Sequence, residues 1–476
     1  DEIIEIIAKA QQPDGYLDTY FIVKEPEHRW QNLHECHELY CAGHMMEAAA
    51  AYAESTGKDK LLHVTERLAD AIIDRFGPDE GKEHGIPGHQ EVEIGLMKLY
   101  HTTGKEKYKD MARYFLEERG KDPEYFYQEK VKRGWQHWGQ YSLEQLDVSY
   151  NQAHATIYEQ KEAVGHAVRA LYMYTAMADL AGTDGDGRLY RACRTLWHNV
   201  VNRKLYITGG IGGNPEGEAF SNEYELPNDM AYAETCASIA MVFFAHRMLE
   251  AEMDGAYADI MEKELYNNII SGMQMDGKRY FYVNPLECEP GVSGKLFGYK
   301  HALPERPEWY DCACCPTNLV RMVTSLGKYC WDESESTIYS HLMIGQKAKL
   351  QKAEIMVRTR YPWEGETVYT VTPTTKEEFT LAVHIPYYVD FGREETRLTV
   401  NGERIDAQEI LQKGYVYIRR KWAAGDQVVI CFPLEARRVY ASQRVRENAG
   451  CVALLRGPVV YCFEGVDNGE MIQSLR

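Results

Sequence analysis

The chain has no run of about 18 apolar residues, so none of its segments reads as a membrane-spanning helix. It has no excess of positive charge: Lys and Arg total 53 against 72 Asp and Glu, for a net charge of −19. That balance argues against a nucleic-acid backbone or an anionic membrane surface as partner, because both require clustered cations. The twelve cysteines lack the dense, regular spacing of a small secreted disulfide scaffold. Cys193 and Cys330 lie in apolar settings and read as reduced core residues, which points to a reducing, cytoplasmic compartment. The chain opens without an initiator Met or a signal peptide, inside the amphipathic pattern "DEIIEIIAKAQ". The expectation is therefore of a fragment whose first domain is missing its start.

What is present is ample length and many aromatic rings. At 476 residues the chain allows two to four domains. Its 34 Tyr and 8 Trp on an acidic background suit carbohydrate better than nucleic acid. Up to about residue 335, segments such as "LLHVTERLADAIIDRF", "QEVEIGLMKLYHTTG" and "EAVGHAVRALYMYTAMADL" carry apolar residues at three- and four-residue spacing. A Gly turn followed by an anchored helix recurs at 55–68, 102–115, 182–196 and 252–266. Repeated helical hairpins of this kind predict an α/α toroid, with a superhelical solenoid as the alternative. From 336 onward, short β-branched stretches such as "TVYTVTP", "EFTLAVHIP" and "DQVVICFP" alternate with Gly, Pro and Asn turns. They predict an antiparallel β-sandwich over 336–476, truncated at its C-terminus.

The chemistry concentrates in three places. "DCACCPTNLVRMV" sets Cys314 and Cys315 side by side just ahead of a helical pattern, and "YAETCASIA" supplies Glu234 and Cys236 separated by one residue. Two such pairs offer three thiols and a carboxylate, a donor set suited to Zn²⁺. Unligated core cysteines, a structural zinc and a catalytic zinc all remain open at this point. "LYITGGIGGNPEGEAFSNEYELPND" is glycine-rich, but it lacks the G-x-G-x-x-G spacing and the G-K-[ST] of a phosphate loop. It carries Glu216, Glu218, Glu223 and Glu225, raw material for acid–base work on a glycosidic bond or simply a solvated acidic loop. His37 and His44 lie seven apart and so share a helix face, while His89 and His166 open or enter apolar stretches. Each alone reads as a core histidine; together they could line a sugar pocket as neutral imidazoles.

Taken in order, "AQQPDGYLDTYF", "HELYCAGHMMEAA", "GIPGHQEVEIGLMKLY", "LYITGGIGG", "GEAFSNEYELPND", "YAETCASIA", "YVNPLE" and "CACCPTNLVRM" resemble the β-L-arabinofuranosidases of glycoside hydrolase family 127 across nearly the whole chain. The resemblance implies an (α/α)₆ barrel over 1–335 followed by the β-sandwich of 336–476. It implies one Zn²⁺ held by Glu234, Cys236, Cys314 and Cys315, with Cys314 as nucleophile and Glu218 as general acid/base of a retaining mechanism. His37, His89, His166 and Tyr282 are implied to contact the sugar, an arabinose-containing oligosaccharide. Self-association into a homodimer is left open, and Cys312 is an extra thiol beside the ligand pair. Two other readings stand next to this one: a glycosidase of different specificity that uses Glu218 and Glu234 around a structural zinc, and a non-catalytic carbohydrate-binding toroid.

Overall fold

The computed structural model describes residues 1–135, 147–469 and 472; of the expected domains, 136–146, 470, 471 and 473–476 lie outside the described residues. The chain divides into two compact units, residues 1–204 with 214–221 and residues 205–213 with 222–476.

The first unit is helical. It comprises α1 (Glu2–Ala10), α2 (Thr19–Val23), α3 (Glu38–Thr56), α4 (Lys60–Arg75), α5 (Val92–Thr103), α6 (Glu106–Glu118), α7 (Tyr125–Arg133), α8 (Ala167–Asp184) and α9 (Gly187–Arg203). The expected hairpins are α3–α4, α5–α6 and α8–α9. Each turns on a glycine that follows the first helix with φ near +70° (Gly57, Gly104, Gly185), a conformation in which a Cβ is penalised. α4 shows what drives the pairing. Leu61, Val64, Leu68 and Ile72 recur at helical spacing and are buried, and each contributes about 1.5–3 kcal/mol by leaving water. α3 and α5 approach closely because Gly43 and Gly95 face each other: a Cβ built on Gly95 would lie 2.6 Å from the Gly43 carbonyl oxygen. α8 is buried without interruption from Ala167 to Ala181, with Arg169, Thr175 and Asp179 among otherwise mostly apolar side chains.

The second unit carries α10 (Thr235–Ala251), α11 (Gly255–Glu264), a single π-helical turn over Leu265–Ile269, and α12 (Cys314–Thr324). Strands follow: β1 (Trp331–Glu333), β2 (Thr337–Ser340), β3 (Gln346–Lys349), β4 (Ala353–Thr359), β5 (Glu366–Pro373), β6 (Phe379–His384), β7 (Arg397–Val400), β8 (Glu403–Ile405), β9 (Leu411–Gln412), β10 (Tyr415–Arg420), β11 (Asp426–Cys431), β12 (Ala436–Val439), β13 (Ala453–Arg456) and β14 (Val459–Tyr461). One sheet runs β1-β2-β6-β10-β9 and a second β3-β4-β5-β11-β7-β8. They meet face to face where Tyr369 of β5 receives Trp331 edge-on and lies 3.2 Å from the Ser340 hydroxyl. β4 and β5 alternate buried and partly exposed residues, the two-residue period of strands with one face on a core.

Two features correct the expected single antiparallel sandwich. β2 pairs with β6 in parallel, Thr337 opposite Thr380. The chain leaves β2, builds β3–β5 in the other sheet and only then returns, and such a crossover lets two neighbours run the same way. A third sheet, β12-β13-β14, stands apart from the other two. Among the described residues no helix is long and apolar enough to cross a membrane.

Candidate active site

Most candidate residues sit at or just before a helix N-terminus; Glu218 ends a short 3-10 turn, and the Tyr282 carbonyl accepts from the Thr235 N–H at the start of α10. His37 precedes α3, His89 lies three residues before α5, His166 caps α8, Glu234 precedes α10, and Cys314 and Cys315 begin α12. Such ends present unpaired N–H groups and the positive pole of the helix dipole, which favours anionic side chains and ligand oxygens.

In the first unit the histidines and Glu218 come together. The His166 Nδ1 accepts from the backbone N–H groups of Val168 and Arg169, at 3.2 and 3.4 Å. Its proton is therefore on Nε2, which donates to Glu218 Oε2 at 2.8 Å. Glu218 has φ +55°, a left-handed conformation rare for a residue with a Cβ. Gly217 beside it is also left-handed, at φ +74°, and a Cβ built there would lie 3.2 Å from the Tyr150 ring. His37 and His89 place Nδ1 at 2.9 and 2.8 Å from the carbonyls of Glu35 and Gln90. Nδ1 is thus the donor in each, and Nε2 is left as an acceptor suited to a sugar hydroxyl. The rings of His89 and His166 are 5.4 Å apart and those of His89 and His37 5.7 Å.

The expectation that His37 and His44 ride one helix face is corrected: His37 (φ −86°, ψ 33°) precedes the helix, and His44 pairs with Glu91 at 3.0 Å. Tyr40, which the sequence reading missed, links the set, with ring centroids 5.3 Å from His37 and 4.4 Å from both His44 and His89. Its i+3 spacing from His37 and i−4 spacing from His44 were the available signal.

The imidazoles are held neutral. Burial and the nearby Arg169 guanidinium push His89 well below its ordinary range. His166 is lowered by burial despite the opposing pull of Glu218. Crowding by protein and the Arg169 charge push His37 down to about 4, although its ring keeps a solvent-exposed edge. Arg169 itself is locked by its bond to the Gly88 carbonyl at 2.7 Å and by the Tyr150 face at 4.6 Å. A histidine whose folded pKa lies below its unfolded value of about 6.5 contributes stability that is present above that pH and lost as the pH falls below it, because the unfolded chain binds the proton first. Unfolding free energy is thus expected to drop from about pH 7 to 5, by up to about 1.4 kcal/mol per pH unit for each of His89 and His166. His89→Gln should flatten that decline in denaturant titrations; slopes equal to the parent's would show that His89 already carries charge in the fold.

In the second unit Glu234, Cys236, Cys314 and Cys315 converge, with all four ligand atoms within 4.8 Å of one another. Cys236 Sγ lies 3.3 Å from Cys315 Sγ, and Glu234 Oε1 lies 3.8 Å from the sulfurs of both Cys314 and Cys315. A tetrahedral Zn²⁺ with sulfur at about 2.3 Å sets ligand atoms about 3.5–3.8 Å apart, so this donor set fits that ion. Glu234 caps no N–H of its own helix with its side chain. Pro316 is tolerated in the first turn of α12, where its missing N–H has no intrahelical partner to lose. Burial pushes the Cys315 thiol far up, reinforced by Cys236 and Glu234. Burial acts the same way on Cys236, but bonds from the Cys314 and Cys315 thiols outweigh it and bring it down. A bound cation is what would let all the sulfurs ionise.

Tyr282 OH is 3.3 Å from Cys314 Sγ, and Cys312 Sγ is 3.6 Å from it on the exposed side. Asn318, also missed, bonds Cys236 from α12, and Arg321 Nε orients it by donating to its Oδ1 at 3.1 Å. Both stand in the "CPTNLVRM" motif, where spacings of three and six from Cys315 were legible but unused.

Comparison with known proteins agrees along the whole length. The model of the family 127 β-L-arabinofuranosidase catalytic domain matches residues 1–328, that of the family's middle domain 337–434 and that of its C-terminal domain 436–476. A non-reducing end β-L-arabinofuranosidase of Bifidobacterium longum subsp. longum is 39% identical over 482 residues, covering 98% of this chain and 72% of its own. The crystal structure of a family 127 β-L-arabinofuranosidase from Geobacillus stearothermophilus T6 superposes with a TM-score of 0.93 at 50% identity, over 98% of this chain and 73% of that one. The structure of another family 127 β-arabinofuranosidase gives 0.84 at 37% identity, over 98% and 72%. With three consecutive domain models matched and these relatives so similar, the chain belongs to glycoside hydrolase family 127 and is a glycoside hydrolase.

Proposed function

We propose that the chain removes terminal β-L-arabinofuranose from the non-reducing ends of arabinose-containing oligosaccharides, with retention of configuration. The observation that carries this reading is the convergence of one carboxylate and three thiols at two helix N-termini, in a chain 39% identical to an enzyme named for that activity. Bound Zn²⁺, held by Glu234, Cys236, Cys314 and Cys315, would keep Cys314 ionised and fixed in place. Cys314 sulfur attacks the anomeric carbon as the bond to the leaving oxygen breaks, and Glu218 gives that oxygen its proton. Glu218 then takes a proton from water, the water oxygen attacks the same carbon, and the C–S bond breaks to return its electron pair to sulfur. Two inversions give retention. The neutral imidazoles of His37, His89 and His166, with Tyr282, hold the sugar hydroxyls. In the same reading the hairpins of 1–335 close an (α/α)₆ barrel, β-structure occupies 336–476, and the protein is cytoplasmic. Among the described residues none of the twelve cysteines is in a disulfide.

The test is a metal assay joined to product stereochemistry. One zinc per chain is expected, lost together with activity on chelation and restored by added Zn²⁺. Proton NMR of an aryl β-L-arabinofuranoside digest should show the β-anomer of the sugar first. Full activity without metal, or the α-anomer as first product, defeats the proposal.

A further inference from the structure

Three stretches, "LYITGGIGG", the start of "YAETC" and Asn284 of "YVNPLE", meet at one peptide group. Ala233, immediately before Glu234, is fully buried and holds a φ of +41°, in the left-handed region. Its N–H donates to the Gly212 carbonyl at 2.9 Å. Its carbonyl accepts from two side-chain amides, Asn268 Nδ2 at 3.1 Å and Asn284 Nδ2 at 3.0 Å. Each amide also ties into the first turn of α10: Asn268 to the Ser238 hydroxyl at 2.8 Å, Asn284 to the Thr235 hydroxyl at 3.0 Å. Gly210 makes room, since a Cβ there would lie 2.8 Å from Ala233 Cβ and 3.1 Å from Asn268 Oδ1. Asn268 reaches the carbonyl from the π-helical turn after α11, a local irregularity often kept where a side chain must be re-aimed.

We propose that Asn268 and Asn284 are positioning residues for the ligand Glu234. A left-handed residue with a Cβ persists only where its surroundings over-determine it. Here the donors on the Ala233 carbonyl do so, and they fix the plane of the peptide that carries Glu234 and hence the direction of its carboxylate toward the thiols. Released, that peptide rotates toward an ordinary conformation and takes the carboxylate with it. The inference rests on the zinc reading above and adds the residues that set the metal's affinity.

The experiment compares Asn268→Ala and Asn284→Ala with the parent, using the full chain. Each variant leaves the other amide on the Ala233 carbonyl and so retains the fold; Asn284→Asp, which keeps the volume but replaces the donor, serves as a third. The readout is the Zn²⁺ dissociation constant by competition with a chromophoric chelator, measured beside the unfolding midpoint of the metal-free protein. Each variant should bind Zn²⁺ about 10- to 100-fold more weakly, the range for residues that orient a metal ligand. A merely structural role lowers the metal-free midpoint and leaves the constant at the parent value, and that result overturns the inference. A parent that binds no stoichiometric zinc, or a Cys315→Ala variant that binds it undiminished, refutes the zinc site itself, and this proposal with it.

Discussion

Cys314→Ala is expected to lower kcat by about 10³-fold or more while KM changes little. The substitution removes the sulfur proposed to attack the anomeric carbon and leaves in place the groups assigned to sugar binding, the imidazoles of His37, His89 and His166 and the phenol of Tyr282. Sulfur is the only nucleophilic atom of that side chain, and nothing in alanine substitutes for it. Glu234, Cys236 and Cys315 still present a carboxylate and two thiols within 4.8 Å of one another, so loss of turnover with zinc retained would isolate the nucleophile from the metal. The competing view, in which Glu218 and Glu234 act as a carboxylate pair around a structural ion, predicts near-parental hydrolysis. Steady-state kinetics on aryl β-L-arabinofuranosides, with zinc content measured on the same samples, separate the two.

The second large effect belongs to Glu218. Glu218→Gln keeps the shape but cannot deliver a proton, and general acid–base assistance supplies roughly 10²- to 10⁴-fold. That full loss is expected for substrates whose departing oxygen needs protonation. With a nitrophenyl leaving group the first step needs little help, so breakdown of the sugar–enzyme intermediate becomes limiting. Added azide, an anion that needs no base, should then restore turnover and give a glycosyl azide of retained configuration. A variant that loses as little with natural-type glycosides as with activated ones would remove Glu218 from the acid/base role. The geometry explains why this glutamate stands out among four in its loop. Its carboxylate is held by a hydrogen bond from the His166 Nε2, whose tautomer the start of α8 fixes. Glu225, by contrast, spends an oxygen on the N–H and side-chain amide of Asn222.

Local patterning carried much of this in advance. The hairpins were legible because Gly57, Gly104 and Gly185 punctuate stripes of three- and four-residue period, and such signals lie within a single turn of chain. The four ligand candidates were legible because two of them are neighbours and two are separated by a single residue. What stayed hidden depends on partners distant in sequence. Nothing near Ala233 announces that amides 35 and 51 residues away hold its carbonyl. The Tyr40 ring gains its meaning only when α5 brings His89 beside it. The parallel pairing of β2 with β6 follows from where the chain goes in the 38 residues between Ser340 and Phe379, and no strand pattern records that route. His37 was misplaced for a related reason: a seven-residue spacing fits a helix face whether or not the first member lies inside the helix.

The 3.3 Å between Cys236 and Cys315 also governs how the protein must be handled. Two sulfurs already that close need little backbone movement to be joined by a two-electron oxidant, and the bond would consume half of the donor set. Air and a stripping buffer together are therefore the conditions to avoid during purification: a preparation cleared of divalent ions before a reductant is present would drift toward an oxidised form that no later addition of zinc revives until thiols are regenerated.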